Sequence, residues 1–463
     1  MKKLLIVILI FISASAIAQP YTNSWIDYSK TYYKFTIGKT GLFRIPQSTL
    51  NSVGLGNTPA EQFQLWRNGV EVGLYTSVAN GPLGSSDYIE FWGLMNDGKK
   101  DTRLYRDPDY QLSDHYSLET DTAAYFLTVN AVGGNLRFVN SPNNVATNTL
   151  SPEPYFMNTK SVYYKNSINP GLGLPLGEYV YSSSYDIGEG WTSNDVAVGY
   201  PLSYLFDSIY MYTGGPLASF SFAVVGNALN TRNIRVKFYS NVLDVEPMSN
   251  YTYLKKQIDT IPASFFPSPD HLIISIEPLS SVSTDRIKVS TFSLIYPGKF
   301  NFNNQKSYYF ELPATATGNY LVIDNFNYGN TNPVLLDIAS GARYAGDIAS
   351  IPGKVLFALP PSAITKRKFE LISEDLSNLN IITALTQRNF VNYGLAANQG
   401  NYLIISNSIL YNNGSGVNYV DLYKAYRNSS AGGGYNAKIY DIDQLIDQFA
   451  YGIKKHPLAI KDF

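Results

Sequence analysis

The sequence contains no cysteine and few charged residues. Without cysteine the chain can form no disulfide, and it offers no thiolate as a nucleophile or a metal ligand. Charged residues make up 15% of the chain, against a typical value of about 25%. A stripe of basic residues is the electrostatic signature of nucleic-acid binding, and the sequence contains none. We therefore expect no nucleic-acid partner.

Long hydrophobic runs are also missing, apart from the one at the start of the chain. Lys2 and Lys3 precede the apolar residues 4–12, and small residues then lead to Ala16 and Ala18. This layout predicts a secretory signal peptide over residues 1–18. The alternative, a membrane anchor, needs about 20 apolar residues. We therefore expect an exported protein, secreted or held at the cell surface, with no transmembrane span after signal cleavage.

Aromatic residues are abundant, and they favour a mostly β fold. The chain has 38 Tyr and 24 Phe residues, and its 35 Gly and 24 Pro residues lie between short apolar runs. Removing Lys2 and Lys3 leaves 33 basic and 36 acidic residues, a net charge of −3. Because roughly 445 mature residues exceed what one core usually serves, we expect two to four domains built as tandem β-sandwiches or jelly rolls.

Composition and turn signals suggest where the domains lie. Residues 19–150 are predicted to form a first β domain, in which residues 33–45 have a hairpin pattern and Asn68-Gly69 marks a second hairpin. A Pro- and Asn-rich passage over residues 141–154 is a candidate linker. Predicted strands, among them residues 179–181, then form a β-sandwich over residues 151–297, and residues 298–398 form a further β region.

The pattern changes near residue 399. A continuous apolar strand at residues 402–406 is followed by a helical pattern with Tyr419, Tyr423 and Tyr426 on one face, and a second strand covers residues 437–441. Helical turns are predicted at residues 443–449 and after His456. This β-α-β-α order predicts an α/β domain over residues 399–463, and its last short helix, with no cap and no following strand, suggests an incomplete domain.

Particular strings within these segments carry a family resemblance. The last 62 residues contain YLIIS, VDLYKAYR, AKIYDID and QLIDQFAYGIKKHPLAIKDF, and the earlier β region contains YKFTIGKTGLFRI, DYIEFWGLMNDGKKD, LYRDPDYQLSDHYSLETDTAAYFLT and GEGW. The former strings resemble the start of the peptidase domain of gingipain-like cysteine peptidases, in particular the sortase of the type IX secretion system. The latter resemble the β-rich region before that domain.

The resemblance implies a secreted hydrolase with a caspase-like α/β domain and a His–Cys dyad, acting on protein substrates or alongside secretion-system components. In such a dyad the thiolate attacks a peptide carbonyl while the imidazole transfers the proton. In the family both residues lie downstream of the strings matched here, and this sequence has no cysteine at all. We therefore assign no catalytic residue, and we interpret the chain as the N-terminal portion of such a peptidase or a truncated product.

The three histidines give no independent catalytic signal. His115 follows Asp114, but neighbouring loop residues usually point apart, and no Gly-x-Ser-x-Gly motif is present. His271 is interpreted as a turn or edge residue, and His456 as a residue at the start of a helix. Their spacing fits no metal site.

Other candidate sites have simpler interpretations. Two acidic clusters offer oxygen ligands for calcium, but neither has the spacing of an EF-hand loop, so solvated turns are preferred and no cofactor or metal ligand is assigned. The run Gly432–Gly434 lacks the Lys-Ser/Thr ending of a phosphate loop and is interpreted as a helix stop. The acidic clusters are Asn96, Asp97, Gly98 and Asp101, and Asp441, Asp443 and Asp447.

A second hypothesis for the whole chain is a non-catalytic surface adhesion or glycan-binding protein. Trp191 is its most suggestive residue, since an exposed aromatic ring on a β-sandwich is a common surface for stacking sugars. The competing interpretation is that the aromatic residues mainly pack in cores.

Overall fold

We describe the protein from a computed structural model, which covers residues 23–172, 184–313, 315–412 and 414–463. The predicted signal peptide and the predicted strand at residues 179–181 lie outside the described residues. The chain divides into two units. The larger contains Thr31–Arg388 and Ile453–Pro457, and the smaller contains the described residues up to Lys30 together with Asn389–Gly452 and Leu458–Phe463.

The larger unit is built almost entirely of β-strands, which confirms the mostly β fold class. Its first elements are β1 (Tyr32–Ile37), β2 (Gly41–Pro46), α1 (Gln47–Ser52), β3 (Phe63–Arg67), β4 (Val70–Val72), β5 (Tyr75–Thr76), β6 (Tyr88–Gly93), β7 (Ala123–Val129) and β8 (Val139–Ser141). Except for β8, the strands among these elements belong to two sheets that face each other across a shared core.

Strands β1 and β2 are both present, but the predicted hairpin between them is wrong. β1 pairs with β7, whereas β2 pairs with β6 in the other sheet. Phe35 of β1 and Phe43 of β2 nevertheless enter the same core. The Gly38–Gly41 turn therefore carries the chain from one sheet to the other. Each of the two strands buries alternate side chains in the core between the two layers.

The hairpin predicted at Asn68-Gly69 is confirmed. β3 and β4 pair antiparallel, with Arg67 opposite Val70. Asn68 and Gly69 have φ values of 52° and 76°. Two consecutive positive φ angles define the turn that matches the twist of a two-residue hairpin, and Asn-Gly is the dipeptide that adopts it most readily.

A second β-sandwich follows. The strands of this region are β9 (Phe156–Tyr163), β10 (Ser167–Asn169), β11 (Gly190–Thr192), β12 (Val196–Ala197), β13 (Leu202–Phe206), β14 (Ala218–Gly226), β15 (Thr231–Phe238), β16 (Asn241–Ser249), β17 (Tyr253–Ile261), β18 (Leu272–Leu279) and β19 (Arg286–Gly298). Of these, β10 and β11 form a separate two-stranded sheet. The sheet β12-β19-β14-β17, to which β9 is added beside β19, faces the sheet β13-β18-β15-β16. Inward-facing residues such as Phe220, Phe238, Ile274 and Phe292 form the core between them.

A third core lies farther along the same unit. Its strands are β20 (Asn301–Gln305), β21 (Ser307–Pro313), β22 (Asn319–Phe326), β23 (Val334–Asp337), β24 (Ala342–Ala345), β25 (Lys354–Leu359) and β26 (Lys366–Ile372). The sheets β20-β22-β25 and β21-β26-β23-β24-β8 enclose Phe302, Leu321, Phe357 and Phe369.

The candidate linker at residues 141–154 runs along this third region. β8 pairs parallel with β24, and the Asn143 side-chain amide donates to the carbonyls of Ala345 and Leu356, at 2.9 Å in each case. The passage is therefore hydrogen-bonded to the strands beside it. The predicted domain boundaries remain predictions.

The last two strands of the larger unit, β27 (Leu379–Ile381) and β28 (Thr386–Arg388), belong to the first pair of sheets. β27 pairs parallel with β2, and β28 pairs antiparallel with β1. Ile382 enters the first core beside them. The first sandwich therefore uses strands from both ends of this unit.

The smaller unit has the predicted β-α-β-α order. Its elements are β29 (Tyr402–Ser406), α2 (Tyr419–Asn428), β30 (Ala437–Asp441), α3 (Ile442–Phe449) and α4 (Leu458–Lys461). β29 and β30 are parallel, as expected for strands joined through a helix. Asp441 begins α3 by accepting hydrogen bonds from the backbone N–H groups of Asp443 and Gln444. Among the described residues, no helix combines the length and the apolar character needed to cross a bilayer.

The helix predicted around Tyr419, Tyr423 and Tyr426 is present, but these side chains are exposed. The i, i+4, i+7 spacing placed them on one face correctly. In an α/β domain, such a face of a helix is normally covered by neighbouring elements, because parallel sheets are buried on both sides. Here none of the residues of α2 is buried.

We predict that a buried ion pair contributes strongly to the stability of the second sandwich. The Arg232 guanidinium contacts the Asp285 carboxylate at 2.8 Å, and both side chains are fully buried. Asp285→Asn would leave a buried guanidinium without its counter-charge, which costs about 3–5 kcal/mol. The free energy of unfolding in urea, followed by circular dichroism, measures this loss.

The matched control is Asp195→Asn, which removes the neighbouring pair of Asp195 with Arg286. Its side chains are 44% and 42% exposed. Exposed pairs contribute about 1 kcal/mol or less. Equal losses in the two variants would contradict the prediction.

Candidate functional site

The three histidines lie in three different environments. The His115 ring stacks on that of Tyr163, with centroids 3.8 Å apart and an interplanar angle of 4°. Burial lowers the pKa of His115, although Asp114 acts in the opposite direction. His271 is exposed, and its Nδ1 lies 3.0 Å from the Ser268 hydroxyl. His456 is 1% exposed and contacts a carboxylate.

That carboxylate belongs to Asp101, and the contact spans 355 residues of sequence. His456 Nε2 lies 3.0 Å from Asp101 Oδ1. The Ser117 hydroxyl donates to the same oxygen at 3.0 Å, and the Leu118 backbone N–H donates to Oδ2 at 2.8 Å. Asp101 is itself only 1% exposed. We call Asp101, Ser117, Leu118, Trp191 and His456 the Asp101 junction.

Trp191 completes the junction. Its indole N–H donates to the Ser117 carbonyl at 3.0 Å, and the Lys165 ammonium lies over its ring at 5.2 Å. The side chain is half-buried. Trp191 is thus half-buried, with protein groups on its edge and on one face.

Local backbone geometry places Asp101 at the end of a tight turn. The Asp101 N–H donates to the Gly98 carbonyl, and the Gly98 N–H donates to the Asp114 carbonyl at 2.7 Å. A Cβ at position 98 would lie 2.7 Å from the Tyr116 carbonyl oxygen. Only glycine allows the two stretches of backbone to approach this closely.

The junction brings together four of the strings that carry the family resemblance. Asp101 ends DYIEFWGLMNDGKKD, Ser117 and Leu118 lie in LYRDPDYQLSDHYSLETDTAAYFLT, Trp191 ends GEGW, and His456 lies in QLIDQFAYGIKKHPLAIKDF. The sequence interpretation placed Asp101 with a possible calcium cluster and His456 at a helix start. It did not pair them. Asp101 and His456 both lie in strings that resemble the same family, and this was the signal that could have suggested their contact.

The arrangement does not fit a serine nucleophile. In a catalytic triad the imidazole lies between the carboxylate and the hydroxyl. In the junction the carboxylate lies between the Ser117 hydroxyl and the imidazole. The adjoining cavity, lined by Leu118 and Trp191, measures about 10 Å³, which is the volume that one water molecule needs. The junction is therefore suited to holding segments together.

The other sequence candidates have structural roles. Asp97 accepts from the Lys99 ammonium at 2.9 Å, and Asp441 caps α3. The helix α2 ends at Asn428, before the glycine run that was predicted to stop it, and Gly433, with a φ of 106°, instead ends the short 3-10 turn Ser430–Gly432. Within the ranges that the structure covers, no three His, Asp or Glu side chains are grouped closely enough to hold a metal ion.

The smaller unit contains a cleft of about 640 Å³. That volume is typical of small-ligand sites. Aromatic rings and side-chain amides line the cleft, among them Tyr28, Tyr393, Tyr440, Phe463, Asn392 and Asn398. The Phe463 ring packs against Tyr440 with centroids 4.7 Å apart. We call this the aromatic cleft.

Comparison with known proteins gives similarity at the level of the fold. No protein-family model matches the chain, and no curated protein matches it. Dimeric latent PorU from Porphyromonas gingivalis superimposes with a TM-score of 0.55 and 12% identity, covering 92% of this chain. This chain spans only 38% of that PorU chain.

A carbohydrate-binding domain, CBM36-1 of a xylanase from the hindgut metagenome of Trinervitermes trinervoides, matches 30% of the chain. The match covers 96% of that domain, with a TM-score of 0.19 and 10% identity. A score this low carries no argument about the present chain. The similarity to PorU shows a shared fold.

We predict that the Asp101 junction depends on both oxygens of the Asp101 carboxylate acting as hydrogen-bond acceptors. In Asp101→Asn one carboxylate oxygen becomes an amide N–H₂, which cannot accept from the donors that converge there. The free energy of unfolding is expected to fall by about 1–3 kcal/mol. Amide hydrogen exchange should become faster in residues 94–122 and 453–457. Hydrogen exchange followed by mass spectrometry locates the change.

Asp114→Asn is the control, since Asp114 lies in the same loop with its side chain exposed. It should leave exchange in both segments unchanged. Identical exchange in the two variants would show that the junction contributes no more than an ordinary surface residue.

Proposed function

We propose that this chain is the N-terminal region of an exported gingipain-like cysteine peptidase of the type IX sortase kind. The larger, β-rich unit would position the peptidase domain or dock the protein to its substrates or to the secretion machinery. The single observation that carries the proposal is the fold similarity to PorU, which extends over 92% of this chain.

The smaller unit supports the proposal through its architecture. Its two strands are parallel, and they are joined through α2 in the β-α-β order of an α/β domain. Leu403 and Ile405 of β29 remain exposed, as do the tyrosines of α2. Parallel sheets are buried on both faces in complete α/β domains. Further strands and helices of a peptidase domain would cover these surfaces.

The Asp101 junction would fix a short segment, residues 453–457, within the larger unit. His456 stands immediately before Pro457 and the α4 segment. Its contact with Asp101 ties this part of the chain to the loop between β6 and β7. Because both side chains are buried and hydrogen-bonded, the contact would hold residues 453–457 in one position within the larger unit.

The catalytic step itself is assigned to no residue of this chain. A His–Cys peptidase needs a thiolate, and the sequence contains no cysteine. The proposal therefore assigns the nucleophile to a part of the parent protein outside these 463 residues.

A second candidate function is glycan binding without catalysis, and the aromatic cleft is the observation that favours it. Rings and side-chain amides are the groups that recognise sugars, through stacking and through hydrogen bonds to hydroxyls. Under this hypothesis residues 389–463 form a self-sufficient module. They should then resist limited proteolysis as well as the β-rich unit does, whereas an incomplete peptidase domain should be cleaved first.

The coding DNA after codon 463 tests the proposal most directly. We expect an open frame that encodes a Gly-His pair and then a cysteine at the end of a later strand. A stop codon at that point in an expressed gene would overturn the peptidase proposal and leave the binding hypothesis.

We also predict that the purified 463-residue protein has no thiol-peptidase activity, because it has no thiol. Fluorogenic peptides incubated with the protein should be cleaved no faster than in buffer. Any turnover that a thiol alkylator abolished would contradict the prediction, while alkylator-insensitive turnover would point to a contaminating enzyme.

A further inference from the structure

Three strand edges meet in a groove of the larger unit. Among the described strands, β9 pairs only with β19, β20 only with β22 and β21 only with β26. Residues of β9, β20 and β21 line a groove of about 390 Å³ between the second sandwich and the third core. That volume is in the range of small-ligand sites, which lie preferentially where domains meet. We call this the edge groove.

The edge groove is lined mainly by neutral polar side chains. Among the described residues that line it are four side-chain amides, four Ser or Thr hydroxyls and two tyrosines, with one charged residue, Lys160. The Lys160 ammonium donates to the main-chain carbonyls of Asp207 at 2.6 Å and Ser208 at 3.0 Å. Two of its three N–H donors are therefore already used. The lining thus favours an uncharged ligand.

Part of this lining is fixed by hydrogen bonds within the protein. The Asn158 amide donates to the hydroxyls of Tyr296 and Tyr308, at 2.9 Å in each case. Asn301 Oδ1 accepts from the Asn303 backbone N–H at 3.1 Å. These bonds hold polar side chains of β9 and β20 in defined positions before any ligand arrives.

Other lining groups have unused hydrogen-bonding capacity. Within the described part of the chain, the side chains of Thr159, Ser208, Gln305 and Ser307 form no hydrogen bond. A hydroxyl both donates and accepts, and a side-chain amide offers a donor and an acceptor. The hydroxyls of a sugar need this combination of partners, whereas an ionic ligand needs a single sign of charge.

An irregularity in β20 exposes two of the amides. The register of β20 against β22 shifts between Asn301 and Gln305. Asn303 and Asn304, which lie within the shift, have φ values of 48° and 57°. Asparagine enters this left-handed region more readily than most residues, and such an irregularity ends regular pairing and re-aims side chains. Asn303 and Gln305 are consequently exposed where they line the groove.

Tyr309 supplies an aromatic ring beside these polar groups. The side chain is 47% exposed. Its hydroxyl donates to Glu311 Oε1 at 2.6 Å, so the ring is held from its polar end. The apolar face of the ring can pack against the C–H face of a sugar while neighbouring amides and hydroxyls bond to the sugar hydroxyls.

We propose that the edge groove binds an uncharged oligosaccharide, with Tyr309 as the stacking ring and with Thr159, Gln305 and Ser307 as hydrogen-bonding groups. The groove lies within the larger unit, so the proposal does not depend on whether the smaller unit begins a peptidase domain. It also differs from the aromatic cleft, whose lining residues belong to the smaller unit.

An extended peptide is the alternative occupant, since a free strand edge can accept a further strand. Such a peptide binds through a regular row of backbone groups along the edge. The edge of β20 lacks that row, because two of its residues have positive φ angles. The unused groups in the groove belong to side chains, which favours the saccharide.

The experiment first presents the purified wild-type chain to an array of neutral and acidic glycans. We expect it to bind one structural class of neutral glycan. An oligosaccharide of that class is then titrated into the wild type, Tyr309→Ala and Gln305→Ala by isothermal titration calorimetry. Loss of the ring should weaken binding about tenfold, and loss of the amide about threefold to tenfold.

Tyr200→Ala is the matched control, because Tyr200 is 78% exposed in the same unit and does not line the groove. It should bind the oligosaccharide as the wild type does. If Tyr309→Ala does not fold, as judged by circular dichroism, Gln305→Ala decides the question. The Gln305 side chain is exposed and makes no hydrogen bond within the described residues, so its removal should leave the fold intact.

The proposal is overturned if no neutral glycan binds, if binding is confined to acidic glycans, or if neither groove variant changes the affinity. A neutral glycan whose binding is lost in Tyr393→Ala instead would belong to the aromatic cleft, and would support the second candidate function without the edge groove. Binding of an extended peptide that Gln305→Ala weakens, with no glycan bound, would assign the groove to a peptide.

Discussion

The fold depends on the buried carboxylate of Asp101, whose oxygens need hydrogen-bond donors. Asp101 lies away from water, and a charged group in that position is tolerated only when donors surround it. Its donors come from its own loop and from His456, 355 residues away in sequence. In a chain without cysteine, hydrogen bonds of this kind take over part of the role that disulfides have in many secreted proteins. Asp101 links the loop from β6 to β7 with residues 453–457, and Trp191 of the GEGW string joins them through the Ser117 carbonyl.

Local structure was largely predictable from the sequence, whereas pairing between distant segments was not. Alternation located β1, β2 and β7, and Asn68-Gly69 gave a hairpin whose two positive φ angles the structure shows. The same alternation suggested that β1 and β2 pair, and they do not, because periodicity describes which face of a strand is buried and says nothing about its neighbour. The tyrosines of α2 show a similar limit, since the spacing identifies a face and cannot say what covers it.

The charged clusters were beyond prediction for the same reason. Glu90 stands between Ile89 and Phe91 in a strand that is buried on both faces, and this interruption of an apolar run was the available signal. The Arg44 guanidinium contacts both Glu90 and Glu374, and Glu374, which follows β26, is brought near only by the packing of one sheet on another. Asp101 and His456 present the same difficulty over a greater distance. A pair of charges far apart in sequence becomes a site only when several sheets have already formed.

The order of the strands has a consequence for how the protein folds during synthesis. β1 leaves the ribosome early, but its neighbour β28 and the core residue Ile382 are synthesised much later. The Thr49 hydroxyl donates to the Ile382 carbonyl, 333 residues away in sequence, so this hydrogen bond also forms late. Contacts over such separations slow folding, because a long loop must close before they form. The emerging chain would therefore expose an edge of its first sheet while the second sandwich is made, which is the kind of surface that chaperones cover in the cell.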